Sequence, residues 1–353
     1  MSGFFSSKYS SLTPYVPGEQ PQDRSYIKLN TNEPPFPPSP LAQRLAREEA
    51  GNLELYSDPE CRNLVSAAAD IIGVGKDEIL FTNGSDEILN FAFMAFCDES
   101  HPAVFPDITY GFYKVFAELN GVPYREIPLK ADFTVNADDY INVGGTIFIA
   151  NPNAPTGIAL EKSEIERIIS SNPNNVVVVD EAYVDFGGES CIDLIHKYDN
   201  LLVTQTFSKS RSLAGARLGF GAAVSSLITD LNTVKYSTNP YNVNRMTMAA
   251  GIGALTDKAY FEKNCRLIRE VREKTEAKLK ELGFTATNSS TNFIFASHPK
   301  IGGKELYLRL KENGILVRHF DKPCLCDYNR ITVGSERQMD EFISVVSKIL
   351  EEA

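Results

Sequence analysis

The chain has 353 residues, of which 43% are hydrophobic and 23% are charged. This balance is typical of a globular protein with at least one large core, and it excludes a disordered or collagen-like chain. The formal net charge of −11 disfavours polyphosphate backbones and anionic lipid surfaces, so we expect no nucleic acid and no membrane partner. The composition therefore predicts a cytoplasmic protein of enzyme size.

The positions of the prolines and cysteines limit which structures the chain can adopt. Eight of the nineteen prolines fall within the first 40 residues, so an extended arm rather than a helix is predicted for residues 1–44. The six cysteines are scattered, which favours free thiols over a disulfide framework. Cys324 and Cys326 form a C-x-C pair near His319, but no second ligand pair accompanies them. We therefore predict no metal site, and zinc is the less favoured alternative to reduced thiols.

From Leu41 onward, helical stretches alternate with short aliphatic runs. The predicted strands cover 78–82, 103–105, 123–127, 146–150, 176–180 and 200–206, and predicted helices between them include 86–96, 110–120 and 161–171. This alternation favours an α/β fold with a mainly parallel sheet flanked by helices. The run 176–179 is valine throughout, as expected for a central strand covered on both faces.

The pattern changes after Asn239-Pro240. A long charged helix over 259–282 is followed by predicted strands at 292–296, 315–318 and 330–333, a helix at 304–313 and a closing helix from residue 336. These elements predict a smaller α+β domain. We divide the chain into an arm (1–44) that joins the small domain, a large domain (45–244) and a small C-terminal domain (245–353).

Ligands of open parallel sheets bind beyond the carboxyl ends of the strands. After the predicted strand that ends at Thr82, Gly84, Ser85 and Asp86 open a helix whose free N–H groups and dipole suit a phosphate. An ordinary capped turn is the alternative explanation for this segment.

Three further strand ends carry unusual groups. The loop 151–157 contains amide side chains, and Asp180 directly follows the apolar residues of a predicted strand. Lys209 lies between two serines, and Arg217 follows eight residues later. Alone, they are explained by a turn, an ion pair and a solvated lysine. Together they supply an amine for a Schiff base, a carboxylate for a pyridine nitrogen and a phosphate site, which pyridoxal phosphate requires.

These motifs resemble the fold-type I aminotransferases over almost the whole chain. The resemblance rests on Asn-Pro-Asn-Ala-Pro-Thr-Gly at 151–157, Asp-Glu-Ala-Tyr at 180–183, Ser-Lys at 208–209 and Gly-Ala-Arg-Leu-Gly-Phe at 215–220. Motifs at 12–15, 29–33, 56–58, 83–87, 240–244 and 330–334 are similar to those of the histidinol-phosphate branch. The resemblance implies an aspartate-aminotransferase-like fold, pyridoxal 5'-phosphate as cofactor and a homodimer with shared active sites.

The resemblance also implies roles for individual residues. Lys209 would be the covalent anchor of the cofactor and the proton shuttle, Asp180 the partner of the pyridine nitrogen, and Tyr183 a donor to the phenolic oxygen. The other implied cofactor residues are Tyr110 on the ring face, Asn153 at the phenolic oxygen, Ser85, Asp86, Ser208, Arg217 and more weakly Thr206 around the phosphate, and Tyr56 from the neighbouring chain. Tyr15, Asn32, Arg318 and Arg330 would face the substrate.

Three positions depart from the family pattern. Ala154 stands where asparagine is common, Arg211 replaces an aromatic or apolar residue, and Ser57 replaces a frequent proline. The implied reaction converts L-histidinol phosphate and 2-oxoglutarate to imidazole acetol phosphate and glutamate, and two arginines suit a phosphate monoester. The alternatives are an aromatic or general amino-acid aminotransferase, a threonine-phosphate decarboxylase and, less favoured, a non-catalytic effector-sensing domain.

Overall fold

The computed structural model describes residues 2, 4–10 and 12–352. The helices are α1 (Pro40–Glu49), α2 (Arg62–Ile72), α3 (Ser85–Phe96), α4 (Phe112–Asn120), α5 (Lys162–Ser171), α6 (Ser225–Thr238), α7 (Arg245–Thr256), α8 (Lys258–Glu281), α9 (Gly303–Glu312) and α10 (Glu336–Glu351). The strands are β1 (Ile27–Lys28), β2 (Ile79–Asn83), β3 (Ala103–Pro106), β4 (Tyr124–Ile127), β5 (Thr146–Ala150), β6 (Val177–Asp180), β7 (Leu201–Thr206), β8 (Leu218–Ala222), β9 (Thr285–Ala286), β10 (Phe293–Ser297), β11 (Ile315–Leu316), β12 (Arg318–His319) and β13 (Tyr328–Thr332).

A seven-stranded sheet in the order β2-β8-β7-β6-β5-β3-β4 forms the centre of the large domain. Neighbouring strands from β7 to β4 pair in parallel. Strand β8 runs antiparallel to both of its neighbours in this sheet, β2 and β7. The valines of β6 are fully buried, because helices cover both faces of the sheet. The predicted α/β fold with a mainly parallel central sheet is confirmed.

Strand β8 was not among the predicted strands. Gly219 and Gly221 alternate within it, and glycine normally weakens a strand. Their lack of a side chain is required here, since a Cβ on Gly219 would collide with the backbone of Ser85 and one on Gly221 with Ile88. The glycines therefore let α3, and with it the start of the predicted phosphate site, lie directly on the sheet.

A helix begins within the predicted arm. Helix α1 begins at Pro40, inside the segment 1–44 for which helix was excluded, so that exclusion is wrong for the last residues of the arm. Proline is tolerated at the first helical position because its missing N–H would have no partner there. The Ser39 hydroxyl accepts a hydrogen bond from Ala42 N at 3.1 Å and caps the helix.

The C-terminal part contains an antiparallel sheet, β12-β13-β10-β9, packed against α8, α9 and α10. Strand β1 of the arm pairs in parallel with β11, so the arm is attached to this α+β unit. Ala250 and Ala254 of α7 belong to the core of the large unit, although they lie beyond residue 244. The division at 44 and 244 stays a prediction. No helix of the described residues is long and apolar enough to cross a bilayer.

Candidate active site

Two adjoining cavities open at the carboxyl ends of β5, β6 and β7. The inner cavity has a volume of about 160 Å³ and the outer cavity about 620 Å³. Both are lined by Thr31, Tyr110, Ala154, Tyr183 and Lys209. Most predicted cofactor residues line the inner cavity, namely Ser85, Asp86, Tyr110, Asp180, Tyr183, Thr206, Ser208, Lys209 and Arg217. All four predicted substrate residues, Tyr15, Asn32, Arg318 and Arg330, line the outer cavity.

Lys209 lies where the two cavities meet. It follows β7, and its half-buried ammonium donates to the Thr31 carbonyl at 3.2 Å. Burial lowers the pKa of Lys209 to about 8, and the nearby Arg330 guanidinium adds to this effect. A substantial fraction of the side chain is therefore neutral near pH 8, as a nucleophilic amine must be.

Asp180 ends β6 and is only 4% exposed. Its Oδ2 accepts a hydrogen bond from the Tyr113 hydroxyl at 3.0 Å, and its Oδ1 accepts one from Ala182 N at 3.3 Å. Burial raises the pKa of Asp180 to about 6, although the bond from Tyr113 acts in the opposite direction. Because a buried carboxylate without a cation is costly, this position suits a positively charged ring nitrogen.

The start of α3 has the features of a phosphate site. Its first N–H groups have no side-chain cap, since the preceding residue is Gly84. Arg217 reaches this point and pairs with Asp86 at 2.9 Å. Gly84 has a φ of +79°, and a Cβ there would collide with the Arg217 guanidinium. The helix N-terminus, the guanidinium and the nearby Ser208 hydroxyl together can bind a phosphate monoester.

Two tyrosines border the inner cavity and are held by hydrogen bonds. The Tyr183 hydroxyl accepts from Asn32 Nδ2 at 2.9 Å, and the Tyr110 hydroxyl donates to Asp86 at 2.6 Å. The Asn32 oxygen accepts in turn from Thr332 at 3.0 Å. The Asn32 amide is therefore committed to positioning Tyr183, in addition to lining the outer cavity.

The structure does not bring Asn153 and Tyr56 into either cavity. The Asn153 side chain donates to the Ile108 carbonyl at 2.9 Å and accepts from Thr109 at 2.8 Å, so its amide is used within the loops. Tyr56 is 81% exposed and stacks on Tyr241 with ring centroids 4.7 Å apart. Their contacts with the cofactor stay predictions, and that of Tyr56 requires a second chain.

The two arginines of the outer cavity are neighbours. Arg318 and Arg330 are register partners on β12 and β13, as the sequence interpretation expected for adjacent strands. Arg318 donates to the Val16 and Pro17 carbonyls at 3.0 and 3.1 Å, and Arg330 to the Asn30 carbonyl at 3.1 Å. Within the described residues neither guanidinium forms an ion pair with a carboxylate. The outer cavity is thus suited to an anionic substrate.

Tyr113 was missed by the sequence interpretation, although its hydroxyl contacts Asp180. The spacing to the predicted stacking residue Tyr110 was a weak signal, since Tyr110 precedes α4, but the two rings lie with their centroids 5.7 Å apart in the structure. Thr31 was also missed. Its backbone carbonyl contacts Lys209, and any residue type could supply such a carbonyl, so the sequence does not indicate the contact.

The residues of the inner cavity fit pyridoxal phosphate. The amine of Lys209 and the carboxylate of Asp180, which forms no ion pair among the described residues, line one cavity, and the uncapped start of α3 lies beside Arg217 at its wall. These groups match the aldehyde, the ring nitrogen and the phosphate of that cofactor.

Comparison with known proteins agrees with this geometry. Residues 24–346 match the family described as Aminotransferase class I and II. The chain is 48% identical over 352 residues to a histidinol-phosphate aminotransferase of Brachyspira hyodysenteriae, covering 99% of each chain. It is 45% identical over 351 residues to that of Clostridium beijerinckii, covering 99% of this chain and 98% of the relative.

A solved structure shares the fold. The histidinol-phosphate aminotransferase of Sinorhizobium meliloti, in complex with pyridoxal-5'-phosphate, superposes with a TM-score of 0.91. The superposition covers 100% of this chain and 99% of that chain at 22% sequence identity. At this identity the likeness demonstrates a common fold, and the chemistry must be argued from the residues of this chain.

Proposed function

The chain belongs to the class I and II aminotransferases, which are pyridoxal-phosphate-dependent enzymes, and we propose that it transfers the amino group of L-histidinol phosphate to 2-oxoglutarate. The products are imidazole acetol phosphate and glutamate, which makes the reaction a step of histidine biosynthesis. The choice of substrate is supported by the pair Arg318 and Arg330, which lie in the cavity that also contains Lys209 and form no ion pair with a carboxylate in the part of the chain that the structure describes.

The residues of the inner cavity have separate tasks. When bound, pyridoxal phosphate carries the amino group between the substrates, and its ring accepts the electron pair of the broken Cα–H bond. Asp180 would stabilise the positive ring nitrogen, and Arg217 with Ser208 would hold the phosphate. Lys209 would anchor the cofactor covalently, and its Nζ would take a proton from the substrate Cα and return it during each half-reaction.

The outer cavity would bind both substrates in turn. A phosphate dianion accepts bidentate hydrogen bonds from guanidinium groups, and a terminal carboxylate of 2-oxoglutarate can use the same donors. The guanidinium of Arg318 now contacts carbonyls of the arm, while the Arg330 Nε is buried without a partner among the described residues. An anionic substrate would satisfy that donor, which favours phosphate and dicarboxylate over neutral substrates.

The proposal includes a homodimer in the cytoplasm. Leu53, Leu55 and Tyr56 are exposed by 57, 57 and 81% respectively, and Tyr241 beside them by 45%. Large apolar side chains exposed in this way favour contact with a second chain. In that arrangement Tyr56 would reach the cofactor phosphate of the neighbouring active site.

A spectral half-reaction separates this function from its alternatives. Purified holoenzyme is titrated with histidinol phosphate, phenylalanine and threonine phosphate, and loss of the visible cofactor band is recorded. We expect conversion at the lowest concentration with histidinol phosphate, at far higher concentration with phenylalanine, and no carbon dioxide from threonine phosphate. A preference for phenylalanine, or release of carbon dioxide, would refute the proposed substrate.

A further inference from the structure

Tyr113 is a fully buried tyrosine to which the proposed mechanism gives no task. Its exposure is 0%, and its hydroxyl donates to Asp180 Oδ2 at 3.0 Å. The ring is fixed on two sides, by Phe105 of β3 with centroids 5.8 Å apart and by Phe148 of β5 at 5.7 Å. Because the ring packs against side chains of two neighbouring strands, the hydroxyl is held in place toward the carboxylate.

The other donors to Asp180 are weaker. Ala182 N and the Thr204 hydroxyl both approach Oδ1, at 3.3 and 3.4 Å, so Tyr113 makes the shortest hydrogen bond and the one to Oδ2. Asp86 of α3 adds a like charge, which opposes ionisation of Asp180. Burial and the nearby Asp180 carboxylate raise the pKa of Tyr113 well above its usual value, so this phenol remains a donor.

Tyr113 also supports the second wall of the inner cavity. Its ring meets that of Tyr110 edge to face, with centroids 5.7 Å apart and an interplanar angle of 87°. The Tyr110 hydroxyl is fixed at the other end by Asp86, which pairs with Arg217. One buried side chain therefore contacts both the predicted partner of the ring nitrogen and the predicted stacking ring.

We propose that Tyr113 is a positioning residue that orients the Asp180 carboxylate toward the cofactor ring nitrogen and braces Tyr110 against the cofactor face. The inference rests on the proposed roles of Asp180 and Tyr110. Since a hydrogen bond to a charged group is involved, loss of the hydroxyl weakens the hold on the carboxylate without removing the carboxylate itself. The inference gives α4 a function in cofactor electrostatics as well as in packing.

The test is Tyr113→Phe, which removes one oxygen and keeps the ring. We expect the dissociation constant of pyridoxal phosphate to rise about tenfold and kcat to fall about tenfold, with KM for histidinol phosphate within about twofold. Tyr140→Phe is the matched control, because Tyr140 is 1% exposed, lies in the core away from both cavities, and has a hydroxyl without a partner among the described residues. This variant should behave as the parent protein does.

A double-mutant cycle tests whether Tyr113 affects cofactor affinity through Asp180. In an Asp180→Asn background, Tyr113→Phe should lower cofactor affinity by much less than tenfold, because both changes act on one contact. Full additivity, or equal effects of the Tyr113 and Tyr140 variants, would overturn the inference and leave the proposed function intact. A parent chain that binds no pyridoxal phosphate would instead overturn the proposed function.

Discussion

The inner and outer cavities share a wall but differ in how their polar groups are satisfied. In the inner cavity, Asp86 is paired with Arg217, and Asp180 accepts hydrogen bonds from neighbours fixed in the core. In the outer cavity, Arg318 and Arg330 donate hydrogen bonds to backbone carbonyls of the arm and its junction with β1, and neither pairs with a carboxylate among the described residues. The first arrangement is preorganised by the protein, whereas the second leaves charge for a substrate to neutralise.

This difference suggests that the inner cavity serves the reaction itself and the outer cavity the choice of substrate. Groups fixed on the strand ends β6 and β7 can serve the same reaction for any amino donor, because they contact only the cofactor and the reacting carbon. Groups at the arm and on β12 and β13 contact the remainder of the substrate. Substitutions in the inner cavity should therefore lower kcat for all donors, and substitutions in the outer cavity should discriminate between donors.

The largest loss is expected from Lys209→Ala, which removes the amine shared by both cavities. Turnover should fall by at least about 10⁴-fold with every donor, because covalent anchoring and proton transfer are both lost. The visible absorption band of the anchored cofactor should disappear as well. Lys197→Ala is the control, since Lys197 pairs with Glu166 at the surface. Turnover retained within tenfold in the Lys209 variant would contradict the mechanism.

The next largest loss is expected from Asp180→Asn, which keeps the shape and removes the charge. We expect kcat to fall by about 10²- to 10³-fold for all donors, because a neutral amide stabilises a ring cation poorly. Glu181→Gln is a matched control at the adjacent position. Glu181 is equally buried, but its carboxylate accepts from Cys191 N at 2.6 Å and Gln205 at 2.8 Å and lines neither cavity. Similar losses in both variants would indicate a purely structural role for Asp180.

The outer cavity is tested by Arg330→Met and Arg318→Met, each assayed with histidinol phosphate and with unphosphorylated histidinol. For Arg330→Met we expect kcat/KM to fall about 100-fold with the phosphate ester and much less with histidinol, since a charge-assisted contact is lost. Arg318→Met should show a smaller loss, because Arg318 is more exposed. Equal losses with both donors would show that these arginines do not bind the phosphate.

The same contrast explains how much could be predicted from sequence. Asp180 and Lys209 were identifiable because each directly follows an apolar run, and the carboxyl ends of parallel strands meet at one edge of the sheet. Arg318 and Arg330 could be placed on adjacent strands from their spacing. The contact of Asn32 with Tyr183 could not be predicted, since it joins residues 151 positions apart through the junction of arm and small domain.

Two secondary-structure elements were missed for different physical reasons. Strand β8 was missed because glycines that look like strand breakers are required where α3 lies on the sheet. The early start of α1 was missed because proline's effect depends on its position within the helix, which the sequence alone did not define. The contact of Asn153 with the cofactor stays a prediction, although its side chain is hydrogen-bonded to the Ile108 carbonyl and the Thr109 hydroxyl in the structure.

The pH dependence of cofactor loading tests the environment of the inner cavity. Addition to an aldehyde requires the neutral amine, and the pKa of Lys209 is lowered to about 8. The rate of pyridoxal phosphate uptake by apoenzyme should therefore rise about tenfold per unit below pH 8 and level off above it. Stopped-flow absorbance between pH 6 and about 10 measures this. A rate that continues to rise to about pH 10, as for a solvated lysine, would show that burial does not activate the amine.

The smallest effect is expected from Ala154→Asn, which restores the amide common in the family at a residue that lines both cavities. Ala154 is 5% exposed, yet its side chain borders open cavity space, so an amide can enter it. A new donor to the phenolic oxygen of the cofactor would stabilise the ionised form of that oxygen. The pKa of the bound cofactor, followed by its visible absorption band, should therefore fall by less than about one unit, and kcat should change by less than about fivefold. Ala154→Leu, which adds bulk without a donor, is the control. If both variants shift the band equally, the change reflects volume alone, and Tyr183 with its Asn32 contact is then the sufficient partner of that oxygen in this chain.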